Sequence, residues 1–210
     1  AGKQLKIVAN YAVGFDNIDL PAAKRHNVIV TNAPGELISE SVAEHTFALM
    51  LAASKRIVES DRYTRKGKYK GWSPTLFVGM MLKGKVFGII GSGRIGVETA
   101  RRAAAMGMKI VYADLKKNPQ LEKELGAKFM SQDALLKTAD VVSLHVPLLP
   151  STFHLISSKQ LKLMKPTAYL INTARGPVID EKALAIALER HQIAGAAIDV
   201  YECEPAIDCD

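Results

Sequence analysis

With 210 residues, 48% of them hydrophobic and 23% charged, the chain can bury a sizeable core, which excludes intrinsic disorder. No apolar run approaches the roughly 20 residues of a membrane-spanning helix, and Ala1-Gly2-Lys3-Gln4 is not the start of a secretory signal, so a soluble cytoplasmic protein without membrane contact is expected. The net charge of +7 is concentrated around Lys55-Arg56 and residues 62–72, where it suits the C-terminal end of a helix and lacks any RNA-binding signature, so nucleic acid is not expected as a partner.

The chain opens with an apolar run at 6–9, a helical pattern at 20–25 and a second apolar run at 28–30, ending in the turn Asn32-Ala33-Pro34-Gly35. This is half of an α/β unit, and residues 1–38 are read as the remnant of a second α/β domain. Residues 39–210 form the main domain together with a connecting helix. Ser41-Val42-Ala43-Glu44 fits a capping box, so a long helix is expected to begin there and run to Gly67. Phe47, Met50, Leu51, Ser54, Ile57 and Val58 recur at helical spacing and predict its buried stripe. Gly71-Trp72-Ser73-Pro74 ends the periodicity.

From Val86 onward, strand-like apolar runs alternate with amphipathic helices. Strands are expected at 86–90, 109–113, 127–129, 141–144, 168–172 and 194–199, with helices at 94–105, 120–125, 132–138, 158–163 and 181–189. That alternation predicts an α/β fold, a doubly wound parallel sheet of Rossmann type.

The first strand of this series runs directly into Gly91-Ser92-Gly93-Arg94-Ile95-Gly96 and then a helix. In a dinucleotide fingerprint Gly91 allows the tight turn, Gly93 lets the pyrophosphate approach the backbone, and Gly96 brings helix against strand. The fingerprint also needs an acidic residue about 20 positions on, at the end of the next strand, and Asp114 stands there. A carboxylate accepts hydrogen bonds from ribose hydroxyls and repels a 2′-phosphate, so NAD is the expected cofactor; Lys116 and Lys117 leave NADP open.

Two later strand ends also carry chemistry. Arg175, in Ile171-Asn172-Thr173-Ala174-Arg175-Gly176, fits either a bidentate grip on a carboxylate or a surface salt bridge. Asp199 ends the last expected strand and Glu204 follows it, where a carboxylate either orients a histidine or is solvated. Cys203 and Cys209 lack a histidine or second cysteine pair, so reduced thiols and no metal site are expected.

The segments 91–96, 172–176 and 199–205, in this order, resemble the signatures of the D-2-hydroxyacid dehydrogenases, and the similarity extends to 11–19 and 41–45. The N-terminal run and Gly71-Trp72-Ser73-Pro74 resemble the glyoxylate and hydroxypyruvate reductase branch. The resemblance implies an NAD-dependent oxidoreductase that transfers a hydride between nicotinamide and C2 of a small 2-keto or 2-hydroxy acid. It implies that Arg175 and the backbone N–H groups of Val13 and Gly14 hold the substrate, and that Glu204 partners the catalytic histidine. Asp199 then meets the nicotinamide carboxamide, Thr173 and Ala174 line its pocket, Val146, Pro147 and Thr152 border the dinucleotide, and Arg94 and Ile95 sit at the pyrophosphate.

None of the five histidines matches the family's catalytic one, which follows the Glu204 motif further downstream. The sequence is therefore read as truncated at both ends, with 1–38 as part of a substrate domain, and the given segment is expected to bind dinucleotide without turnover. The resemblance also implies a homodimer with the helix from Ser41 at its interface. A dinucleotide-sensing dimeric scaffold of corepressor type is the alternative, since fold alone does not separate it from an enzyme.

Overall fold

Strands that are apolar along their whole length need cover on both faces, and only a parallel sheet with crossover helices provides it routinely. The structure, a computed structural model, describes residues 4–205 and divides into two compact units, Ala1–Ser39 and Glu40–Asp210. Among the described residues no helix is long and apolar enough to cross a membrane.

The smaller unit pairs β1 (Ile7–Ala9) and β2 (Ile29–Thr31) in parallel, joined by α1 (Leu20–Arg25). Asp19 caps α1 by accepting a hydrogen bond from the Ala22 N–H at 2.8 Å, and a proline sits in the first turn. β2 starts one residue later than the apolar pattern suggests.

The larger unit is built on six parallel strands: β3 (Val86–Ile90), β4 (Lys109–Ala113), β5 (Lys128–Phe129), β6 (Val141–Leu144), β7 (Tyr169–Asn172) and β8 (Gly195–Ile198). Their spatial order is β5-β4-β3-β6-β7-β8, so the chain works outward from β3 in one direction and then returns to build the other side. Side chains alternate between faces. Phe87 and Ile89, Ile110 and Tyr112, Val141 and Ile171 enter one apolar cluster; Ile90, Val111 and Ala113, Val142 and Leu144, and Leu170 enter the other. The crossover helices α4 (Arg94–Ala105), α5 (Pro119–Leu125), α6 (Gln132–Thr138), α7 (Ser158–Leu161) and α8 (Glu181–Glu189) match the predicted positions, with ends displaced by up to two residues.

The long helix departs from expectation. It begins at Glu36, so Ser41-Val42-Ala43-Glu44 lies inside it, and Glu44 reaches Arg102 at 3.3 Å. A Ser-x-x-Glu pattern fits an exposed helix face as well as a helix start, and here the chain is already helical before it. The single long helix is instead two, α2 (Glu36–Ser54) and α3 (Ile57–Arg65), separated by Arg56 in the left-handed region at φ 56°. The Met80 N–H donates to the Ser54 carbonyl at 2.8 Å, the Lys55 ammonium donates to the Met80 carbonyl at 2.7 Å, and Arg56 pairs with Glu59 over the Phe77 ring. These contacts satisfy the end of α2 where the pattern alone would continue it. The buried line is Ala43, Thr46, Met50 and Ser54, while Ile57 and Val58 lie about half exposed on the redirected α3.

Candidate functional site

The sheet order reverses at β3, and strands that leave in opposite directions open a crevice beyond their carboxyl ends. Gly91 lies at that point with φ +97°, donating its N–H to the Ala113 carbonyl at 2.9 Å. A Cβ on Gly91 would fall 2.6 Å from the His145 carbonyl oxygen, and one on Gly96 would fall 2.2 Å from the Gly91 oxygen. Both glycines are therefore required by the protein's own packing. Gly93 is different. Its backbone is ordinary extended chain, φ −70° and ψ −173°, and a Cβ there would meet nothing within 4 Å. The space beside it lies open at the start of α4, where Gly93 is the N-cap and no side chain caps the first N–H groups, including those of Arg94 and Ile95. Such a helix start favours an anion, so the residues present fit a pyrophosphate.

Asp114 follows β4 beside this turn. One carboxylate oxygen accepts from both the N–H and the hydroxyl of Ser92, each at 2.7 Å, and the other accepts from the Leu115 N–H at 2.6 Å. Burial pushes its pKa up, but these hydrogen bonds outweigh that and hold it below the usual carboxylate value. The group is ionised at neutral pH.

On the other side of the crevice, the Thr152 hydroxyl donates to the Pro147 carbonyl at 2.6 Å and accepts from the Leu149 N–H at 2.8 Å, which folds the loop after β6 back on itself. Val146 precedes that clamp and stands against Gly91, its Cγ1 being 3.0 Å from where a Cβ would lie. After β7, the Asn172 side chain accepts from the Ala174 N–H at 3.0 Å and donates to the Arg175 carbonyl at 2.9 Å, shaping the turn that carries Thr173, Ala174 and Arg175. Gly176 allows the segment after β8 to close on this turn, because a Cβ there would be 2.0 Å from the Tyr201 carbonyl.

Three contacts at these strand ends have no local signal in the sequence. The Thr46 hydroxyl donates to the Val42 carbonyl at 2.8 Å, so the Thr173 hydroxyl must be the donor in their 2.7 Å contact. His45 pairs with Asp199 at 3.0 Å, and His154 pairs with Glu202 at 2.6 Å. Glu204 accepts from the Tyr201 N–H at 2.7 Å. His45 and His154 thus join the candidate site, where the sequence offered no reason to separate them from ordinary surface histidines. Val13 and Gly14 belong to the smaller unit, with their carbonyls held by Asn32 and Asn10. Cys203 is disulfide-bonded, which corrects the expectation of a reduced thiol: the absence of a metal or framework spacing in a sequence does not report which thiol lies within bonding distance. Cys209 lies outside the described residues.

Residues 47–209 match the family model for the NAD binding domain of D-isomer specific 2-hydroxyacid dehydrogenases. A glyoxylate reductase of Thermococcus litoralis is 50% identical over 206 residues, covering 96% of this chain and 62% of that protein. A crystal structure of a Thermus thermophilus protein superposes with a TM-score of 0.91 at 44% identity, covering 99% of this chain and 65% of that one. The D-lactate dehydrogenase of Aquifex aeolicus, solved with NAD and lactic acid, gives a TM-score of 0.87 at 41% identity over 94% of this chain and 58% of that one. The chain spans less than two thirds of the length of the curated relatives first matched.

His145 supports the glycine turn from behind, with its ring 2.9 Å from the Ser143 hydroxyl, and burial pushes its pKa down from 6.5 to about 4. The folded state therefore holds it neutral. Its contribution to stability is complete above pH 6.5 and is lost as the pH falls toward 4, because the unfolded chain takes up the proton first. Urea unfolding from pH 7 to pH 4.5 should show wild type losing stability relative to His145→Gln; parallel pH profiles for the two proteins would contradict this.

Proposed function

The chain belongs to the D-isomer specific 2-hydroxyacid dehydrogenases, and from that premise we propose that it serves hydride transfer between a nicotinamide dinucleotide and C2 of a small 2-keto acid, glyoxylate or hydroxypyruvate. The observation that carries the reading is the glycine turn, where Gly93 is bare for no internal reason and an uncapped helix start faces the same space. The bound nicotinamide supplies or accepts the hydride.

The chain's own residues do the rest. The first N–H groups of α4, at Arg94 and Ile95, hold the pyrophosphate, and ionised Asp114 takes the ribose hydroxyls and disfavours a 2′-phosphate. Val146, Pro147 and Thr152 border the dinucleotide from the far side of the crevice. Thr173, Ala174 and Asp199, at the ends of β7 and β8, line the nicotinamide end. Arg175 grips the substrate carboxylate, for which a planar fork of donors is suited and a lysine is not. Glu204, on the segment after β8, is the carboxylate that would orient a histidine acting as general acid.

The proposal extends to a homodimer through α2 and α3, whose outward Ile57 and Val58 leave apolar surface for a symmetric partner. Light scattering at micromolar concentration should give twice the chain mass; a monomer would count against it.

Gly93→Val should cost only about 1 kcal/mol of stability, the loss of a favourable N-cap residue, since the new side chain enters open space, yet lower NADH affinity roughly 10-fold or more. Gly96→Ala should cost about 1 to 3 kcal/mol of stability as well, because helix and strand must separate. Equal NADH affinity for Gly93→Val and wild type would remove the pyrophosphate from this turn.

In a protein carrying these residues together with the downstream histidine of the family pattern, NADH oxidation should be fastest, by kcat/KM, with glyoxylate or hydroxypyruvate among small 2-keto acids. Arg175→Lys should lower that value about 10- to 100-fold, the range for losing a charge-assisted hydrogen bond, without changing NADH affinity. A bulky branched keto acid as the preferred substrate would refute the substrate class. Dinucleotide-dependent self-association with no turnover would replace the enzyme reading by a sensing scaffold.

A further inference from the structure

The polar groups around Asp114 form a chain that extends beyond the dinucleotide fingerprint. Tyr112 is fully buried on β4, and its hydroxyl donates to Glu122 of α5 at 2.8 Å. The same hydroxyl accepts from the Asn118 N–H at 2.8 Å, which closes the loop between β4 and α5. The Asn118 side chain then acts in two directions. Its oxygen caps α5 by accepting from the Leu121 N–H at 3.1 Å, and its amide donates to the Ser92 carbonyl at 3.1 Å. Ser92 in turn gives both its N–H and its hydroxyl to Asp114.

Ser92 stands between Gly91 and Gly93, where neither neighbour has a side chain to restrain the peptide planes. Rotation of the Ser92 peptides would break the two bonds to one oxygen of Asp114 and leave its carboxylate held only by the N–H groups of Leu115 and Lys116 in its own loop, about which it can turn. The grip on the Ser92 carbonyl from a residue anchored at both Tyr112 and α5 opposes that rotation. We propose that Asn118 is a positioning residue that, through Ser92, holds Asp114 in the geometry that favours NADH over NADPH. This rests on the reading that Asp114 meets the ribose. With the carboxylate fixed, a 2′-phosphate faces a stationary negative charge; with it held from its own loop alone, the carboxylate can turn aside and the phosphate can use Lys116 or Lys117 in the same loop.

Asn118→Ser separates the two roles of the side chain, since serine caps helices well but has no amide to reach the Ser92 carbonyl. Dissociation constants for NADH and NADPH would be measured by fluorescence titration for wild type, Asn118→Ser, Asp114→Asn and the double variant, with thermal unfolding alongside. The expected result is that Asn118→Ser narrows the preference for NADH roughly 2- to 10-fold, the range for one lost hydrogen bond. The same substitution in the Asp114→Asn background should have no further effect, because the group it positions is gone. Ser92→Ala, which keeps the N–H but loses the hydroxyl, should shift the preference in the same direction. An unchanged preference in Asn118→Ser, or an equal change in both backgrounds, overturns the positioning role alone. Wild type that binds neither dinucleotide overturns the reading of the site and this inference with it.

Discussion

The close approach of α4 to the end of β3 is the contact on which the binding crevice depends. The Gly91 oxygen occupies the place a side chain at 96 would need, and the Gly91 backbone is itself pressed against the carbonyl of His145. Three elements meet there with no room for a methyl group: the strand where the sheet order reverses, the helix that follows it, and the end of the neighbouring β6. That contact aims the start of α4 across the crevice, and the uncapped N–H groups acquire their chemical meaning from that aim. A helix displaced by a methyl group would keep its dipole and lose its target.

Around this contact the strand ends are tied by polar side chains rather than by apolar packing. Asp114 is bound to Ser92, Asn172 braces its own turn, Thr173 donates to Thr46, and Asp199 faces His45. This arrangement suits a ligand site. Apolar contacts hold the sheet below, where Phe87, Ile89, Tyr112 and Leu144 are fully buried, while directional bonds set the orientation of groups at the rim. Charged or hydroxylic groups held this way need little rearrangement when a polar ligand arrives, which lowers the cost of ordering them. The placement of α2 belongs to the same scheme. It is a covering helix by its buried face, yet it brings His45 and Thr46 to the ends of β7 and β8.

Much of this was legible in the residues alone. The strands at 86–90, 109–113 and 141–144 are short apolar runs bounded by turn residues, the helices at 94–105, 132–138 and 181–189 carry helical spacing, and the structure reproduces those bounds. The glycine turn and Asp114 were legible for a related reason. Their chemistry is set by backbone conformation within one βαβ unit, so spacing along the chain is close to spacing in space.

The break at Arg56, the early start of α2, and the pairs His45 with Asp199, Thr46 with Thr173 and His154 with Glu202 were decided by tertiary structure. The break depends on the Met80 N–H that ends α2, and the pairs on partners far away in sequence, 154 residues for His45 with Asp199, 127 for Thr46 with Thr173 and 48 for His154 with Glu202. Periodicity reports which face of an element is buried, because burial acts on every residue of that face. It does not report which polar side chain at one strand end will find which at another, because a single hydrogen bond leaves no repeating trace in the sequence and depends on how the whole sheet stacks its strands.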